Sequence, residues 1–215
     1  MISFPAFLGP LPTRSALLIL AFLLCGFGAA SPHEAKLIAG PLCTPGEKPE
    51  TTARVDAAGI TFEARPLTLA EWEARLEKRV SGMKGILRRR DGSPPPFQVF
   101  LLAIRNHSPE PLRFQPGNIV RIGAQQQDHI LDYTDLYRFL EEQGKNPDAL
   151  DGIRESFFDS GLTLERADSI ERLLFFRELP VKGKKKQLVL LLSAFQVGTE
   201  TLQASLPWHF EKERK

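Results

Sequence analysis

The chain has 215 residues, and its 28 Lys and Arg against 26 Asp and Glu leave a formal charge of +2. A balance so near neutral excludes a strong global field that would recruit nucleic acid or an anionic surface. A chain of this length buries roughly 70% of its unfolded surface, so it needs neither a disulfide framework nor a metal staple, and its two cysteines supply no such framework.

Residues 1–30 read as a cleavable signal peptide. Arg14 precedes an apolar run from Ala16 to Phe27, shorter than the roughly 20 residues a membrane-spanning helix needs. Gly28-Ala29-Ala30 places small side chains at the two positions that signal peptidase requires for a cut before Ser31. The expected address is therefore periplasmic or secreted, with no transmembrane segment after cleavage. An alternative is a membrane-anchored lipoprotein acylated at Cys25, although Leu24 stands where lipoprotein processing wants a small residue.

Residues 31–52, rich in Pro, Gly and charge, read as a flexible tether. Cys43 lies within it and is the one cysteine left after cleavage, so it is a candidate intermolecular thiol. A single domain is expected over 53–215. Thr51 to Val55 and Ile60 to Ala64 alternate as short strands around an Ala57-Ala58-Gly59 turn. Thr68-Leu69-Ala70-Glu71 is a capping box, and Leu69, Trp72, Leu76, Val80 and Met83 form one apolar helical stripe, with Glu71 and Arg75 spaced for a pair on the polar face.

Leu87 to Pro96 reads as a linker. Phe97 to Ile104 is nearly continuous in apolar residues, as for a central strand covered on both faces. Short strands follow at Leu112, Ile119 to Ile122 and His129 to Tyr133, with a hairpin tip at 125–128. Helical spacing takes over for Leu136, Phe139 and Leu140, and Asn146-Pro147 opens a second helix. These two helices are read as an insertion at about 134–160 capping one end of the sheet stack. Strands resume at Leu162, at Ile170 to Phe176 and at Leu188 to Leu192, the last read as buried on both faces. From Leu202 to Phe210 the chain alternates strictly.

Many strands linked by turns predict a mainly β fold, an antiparallel β-sandwich with an N-terminal helix and a two-helix insertion. The run Phe100-Leu101-Leu102-Ala103-Ile104-Arg105-Asn106-His107-Ser108 and the later Leu173-Leu174-Phe175-Phe176 resemble the immunoglobulin-like domains of exported bacterial proteins of unknown function. The resemblance covers about half the chain. It implies an immunoglobulin-like sandwich and brings no catalytic residue with it.

The chemistry-bearing residues point to no reaction. There is no Gly-x-Ser-x-Gly elbow, no phosphate-binding glycine loop and no Cys-x-x-Cys, so no catalytic, cofactor-binding or metal-ligating residue is assigned. Asp128, Asp132 and Asp135 lack the alternation and glycine of a calcium loop; helix capping and hairpin solvation account for them. Two basic runs, Arg88, Arg89, Arg90 and Lys182, Lys184, Lys185, Lys186, are candidate contact patches for an acidic partner or, peripherally, a membrane. Without interleaved aromatics they do not suit nucleic acid.

The expected function is a non-catalytic binding or assembly module of the cell envelope with a protein partner and no cofactor. The alternative is an enzyme or metal carrier whose site gathers His107, His129 and His209 from remote positions.

Overall fold

The computed structural model describes residues 35–39, 51–123, 126–178 and 187–212. The signal segment, Cys25, Cys43 and the Lys182–Lys186 run lie outside them. The fold is mainly β, with eleven strands in two antiparallel sheets among the described residues.

One sheet has four strands, Ala53–Ala57 (β2), Ile60–Leu67 (β3), Phe97–Asn106 (β4) and Ser169–Arg177 (β9), in the order β2-β3-β4-β9. The β2–β3 hairpin closes on Ala58 and Gly59 with φ of 50° and 76°. Two consecutive positive φ values match the right-handed strand twist, and Gly59 also fits because an added Cβ would lie 3.1 Å from the Ser108 main chain.

The other sheet has seven strands. Ala35–Ala39 (β1), Glu200–Lys212 (β11) and Gln187–Val197 (β10) lie side by side. On the far side of β10, Ile119–Gly123 (β6) pairs with its first half and Leu112–Phe114 (β5) with its last residues. Gln126–His129 (β7) extends β6, and Leu162–Leu164 (β8) extends β5. A register shift between Leu192 and Phe195, with Ala194 at φ 51°, marks a bulge where β10 passes from β6 to β5. β1 lies in the segment read as a tether; Leu37 and Ile38 pair with Phe210 and His209, so part of that segment is sheet.

The inward faces of both sheets share one core. Phe62, Phe100, Leu102 and Phe176 from the first meet Phe114, Leu190, Phe195 and Trp208 from the second. Phe62 and Phe195 pack edge to face at 4.9 Å, and Trp208 tilts on Phe100 at 5.3 Å. Each such fully buried side chain contributes roughly 1.5–3 kcal/mol.

The helices occupy a different place from the expected one. They do not cap an end; they cover the outer face of the four-stranded sheet. Leu69–Arg79 (α1), Tyr133–Glu142 (α2) and a 3-10 helix over Pro147–Ser156 set Trp72, Leu76, Leu136, Leu140, Leu150 and Ile153 on Val99, Leu101, Leu173 and Phe175. This explains why β4 is buried on both faces. It also explains why Leu188–Leu192 is not: no described helix covers the seven-stranded sheet there, and Val189 and Leu191 stay half-buried.

Local signals hold at several ends. Thr68 and Glu71 form the capping box of α1, and Asn146 caps the second helix ahead of Pro147, although that helix winds as 3-10. Asp132 and Asp135 form a capping box that starts α2 at Tyr133, so the strand expected over His129 to Tyr133 is not formed; the strand is Gln126–His129, where the hairpin tip was expected. Glu71 pairs with Arg65 and Arg75 with Glu171, so the expected Glu71–Arg75 pair is not made.

Polar groups tie the layers together. Asn106, fully buried, donates to the carbonyls of Glu110 and Leu164 at 2.9 Å each and accepts from the Ser108 amide at 2.8 Å. Arg121, on β6, reaches across to the other sheet. It donates to Gln98 Oε1 at 2.8 Å and the Arg177 carbonyl at 2.6 Å, pairs with Asp128 at 2.7 Å and lies 5.0 Å from the Phe176 ring centre.

Candidate functional site: a basic groove on the helical layer

The first basic run is not one surface. Arg88 turns inward and grips the carboxylate of Glu73, which is 1% exposed, with two hydrogen bonds of 2.7 and 2.8 Å. This bidentate fork neutralises a carboxylate that burial would otherwise make very costly. Lys145 fixes the same turn from below, donating to the carbonyls of Gly85, Ile86 and Arg88. Arg88 therefore serves the fold and is not free to meet a partner. Arg89 and Arg90 remain exposed, and the Arg90 amide is held by Gln143. Leu87, read as linker, is fully buried under this turn.

A different set of cations comes together. The last turns of α1 carry Arg75, Lys78 and Arg79, three and four residues apart and so on one helix face. The end of the 3-10 helix brings Glu155 and Ser156, and the edge strand β9 brings Glu171 and Arg172. These residues line a cleft of about 330 Å³ floored by Leu101 and Leu173. Four cations there face two carboxylates. Arg75 pairs with Glu171 at 3.3 Å and Arg79 pairs with Glu155. All four side chains are more than two-fifths exposed, where such pairs are worth about 0–1 kcal/mol and exchange readily.

The remaining two cations, Lys78 and Arg172, have no close carboxylate among the described residues. Lys78 makes no ion pair among the described residues. Arg172 is half-buried and donates to the Glu171 carbonyl at 3.1 Å. Burial lowers the Arg172 pKa from its ordinary value, with Glu155 partly opposing and the like charge of Arg79 adding to it. An incoming anion would offset the like charge of Arg79 and favour the charged guanidinium, as Glu155 does in part.

The groove continues past Arg172 into a second cleft of about 380 Å³, shared through Glu155 and Arg172 and bordered by Arg154, Phe158, Asp159 and Ile170. Arg154 lies over the Tyr133 ring at 4.8 Å and pairs with Asp159 at 2.5 Å. The Tyr133 hydroxyl donates to Asp151, and that bond together with burial raises the phenol to about 12, so it stays protonated. These contacts fix the wall of the groove and hold no activated nucleophile.

The histidines do not meet. His107 is exposed in the β4–β5 turn, His129 is exposed at the end of β7, and His209 is buried on β11. Among the described residues no group of three His, Cys, Asp or Glu side chains could hold a metal ion. No described helix is long and apolar enough to cross a membrane.

A scan of the sequence against family models gives no match, and no curated protein matches it. The signal for Arg75, Lys78 and Arg79 was present as three bases in the last turns of a readable helix. Arg172 carried none, because it reaches the groove only through β9, nearly a hundred positions further along.

Proposed function

We propose that this chain is an exported cell-envelope protein, periplasmic or secreted, that acts as a non-catalytic binding module. In this reading residues 1–30 are removed and the two packed antiparallel sheets form an immunoglobulin-like sandwich. The helical layer presents the basic groove to an acidic protein partner. The observation that carries the reading is the first cleft's unequal charge, four cations against two carboxylates, with the half-buried Arg172 making no ion pair of its own among the described residues and feeling Glu155 only at longer range. Local charge complementarity of this kind gives specificity and on-rate even where a protein's overall charge is small.

Titration of a short polyglutamate peptide tests it. The double variant Arg79→Glu/Arg172→Glu is expected to bind at least about tenfold more weakly than the wild type. The pair Arg89→Glu/Arg90→Glu changes net charge equally and is expected to bind within about twofold of it. Equal losses from both pairs would show that net charge, not the groove, governs binding, and would remove the reading.

A further inference from the structure

The two edges of the four-stranded sheet are treated differently. The β9 edge is closed: the Leu131 amide donates to the Phe175 carbonyl at 2.7 Å, and Phe157 bridges to Leu173. β11 packs close to β2, but among the described residues no strand pairs with the outer edge of β2. β2 pairs with β3 alone, and among the described residues no other main-chain hydrogen bond reaches it.

The register defines what this edge offers. Ala57 and Ile60 flank the two-residue turn and exchange hydrogen bonds, so Ala57, Val55 and Ala53 face β3, whereas the amides and carbonyls of Arg54 and Asp56 face outward. Edges left open are ordinarily blocked by lysine, proline or a bulge. β2 has none of these; it is short, and its protection is limited to charge. Its two exposed side chains are instead of opposite sign and two residues apart on one face.

We propose that β2 pairs antiparallel with β2 of a second copy, across a two-fold axis at Val55. In that register Arg54 of each copy lies opposite Asp56 of the other, and the outward groups of both residues complete four main-chain hydrogen bonds. Sliding by two residues either way would set Arg54 against Arg54 or Asp56 against Asp56, and like charges directly opposed are unfavourable. The charge pattern thus selects one register, and the interface is isologous and closes at two copies. Within one copy Arg54 lies 3.2 Å from Asp56 and 3.4 Å from Glu63 on β3, surface pairs of the kind that contribute little, so pairing with a second copy exchanges these contacts for equivalent ones across the edge. The Thr61 hydroxyl and Arg54 hold the Asp56 carboxyl below its usual range, which keeps it charged at neutral pH. Five residues bury little surface, so the dimer belongs to the weak class.

Sedimentation equilibrium on the purified chain tests this inference, which is independent of the groove. The wild type is expected to pass from monomer toward dimer mass between about 1 µM and about 1 mM. Arg54→Asp gives an acidic edge and Asp56→Arg a basic one, and each alone is expected to stay monomeric. Their equimolar mixture is expected to dimerise, because each edge then meets its complement. Dimerisation on mixing cannot arise from a change in either chain's own fold. A wild type that stays monomeric throughout, single variants that dimerise like it, or a mixture that stays monomeric would each overturn the proposal.

Discussion

Replacing Asn106 with alanine is expected to lower the unfolding free energy by about 3–5 kcal/mol, because three main-chain groups lose their partner together. The Ser108 amide and the Leu164 carbonyl are buried at that point, and the Glu110 carbonyl is partly so. No other side chain replaces the amide, whose oxygen and nitrogen are both in use. Asn106→Asp keeps the acceptor for Ser108 but sets a carboxylate against two carbonyls. It is expected to cost at least as much at neutral pH and to regain part of the loss on acidification, when the protonated acid can donate once. Urea unfolding of both variants at two pH values checks this through the midpoint, with the slope unchanged. A loss under about 1 kcal/mol for the alanine variant would mean that water satisfies the turn.

Arg121→Ala is expected to cost a similar amount, about 3–5 kcal/mol, through a different mechanism. The guanidinium is almost wholly buried, its Nε has no partner, and desolvation lowers its pKa. What holds it is the set of acceptors Gln98, Asp128 and the Arg177 carbonyl, with the Phe176 ring alongside. Deleting the cation strands these acceptors and leaves a cavity between the sheets. Asp128→Asn removes only the countercharge at a side chain that is 32% exposed, and its expected cost is smaller, about 1–3 kcal/mol. If the pair were dispensable the two variants would unfold together near the wild-type midpoint. The predicted order is wild type, then Asp128→Asn, then Arg121→Ala.

These two residues show where the sequence was legible and where it was not. Local patterns carried most of the strands, though not β1 in the expected tether or β7 at the expected hairpin tip, and they carried the Thr68 and Asn146 caps, the Ala58-Gly59 turn and the core assignment of Trp72, because each depends on neighbours a few positions away. Asn106 was readable as a turn residue. Its role as a tie was not, since the Leu164 carbonyl it holds is 58 positions distant. Arg121 stands between apolar Val120 and Ile122 with nothing to distinguish it from a solvated strand residue. Its burial follows from how the two sheets meet. The second helix reads as α from its N-cap and proline, yet winds as 3-10. The placement of both insertion helices over a sheet face is likewise tertiary. The apolar Val99, Leu101, Leu173 and Phe175 demanded cover, and nothing local said which elements would give it.

The same distinction applies to the basic residues. Arg88-Arg89-Arg90 drew notice as a run, but contiguity in sequence is poor evidence for contiguity on a surface. Arg88 is occupied by buried Glu73, whereas the groove gathers Arg75, Lys78 and Arg79 at helical spacing with Arg172 from a distant strand.

The central claim, an exported module that binds an acidic partner through this groove, is tested most directly by site-specific photo-crosslinking in cells producing the full chain. A photoreactive residue at Lys78 is predicted to yield an adduct with an acidic protein in the envelope fraction. The adduct should vanish when Arg79→Glu and Arg172→Glu are introduced, and it should not form from Gln203, which is exposed on β11 of the other sheet. The same adduct from Gln203, an adduct indifferent to the two charge reversals, or a chain retained in the cytoplasm would contradict it.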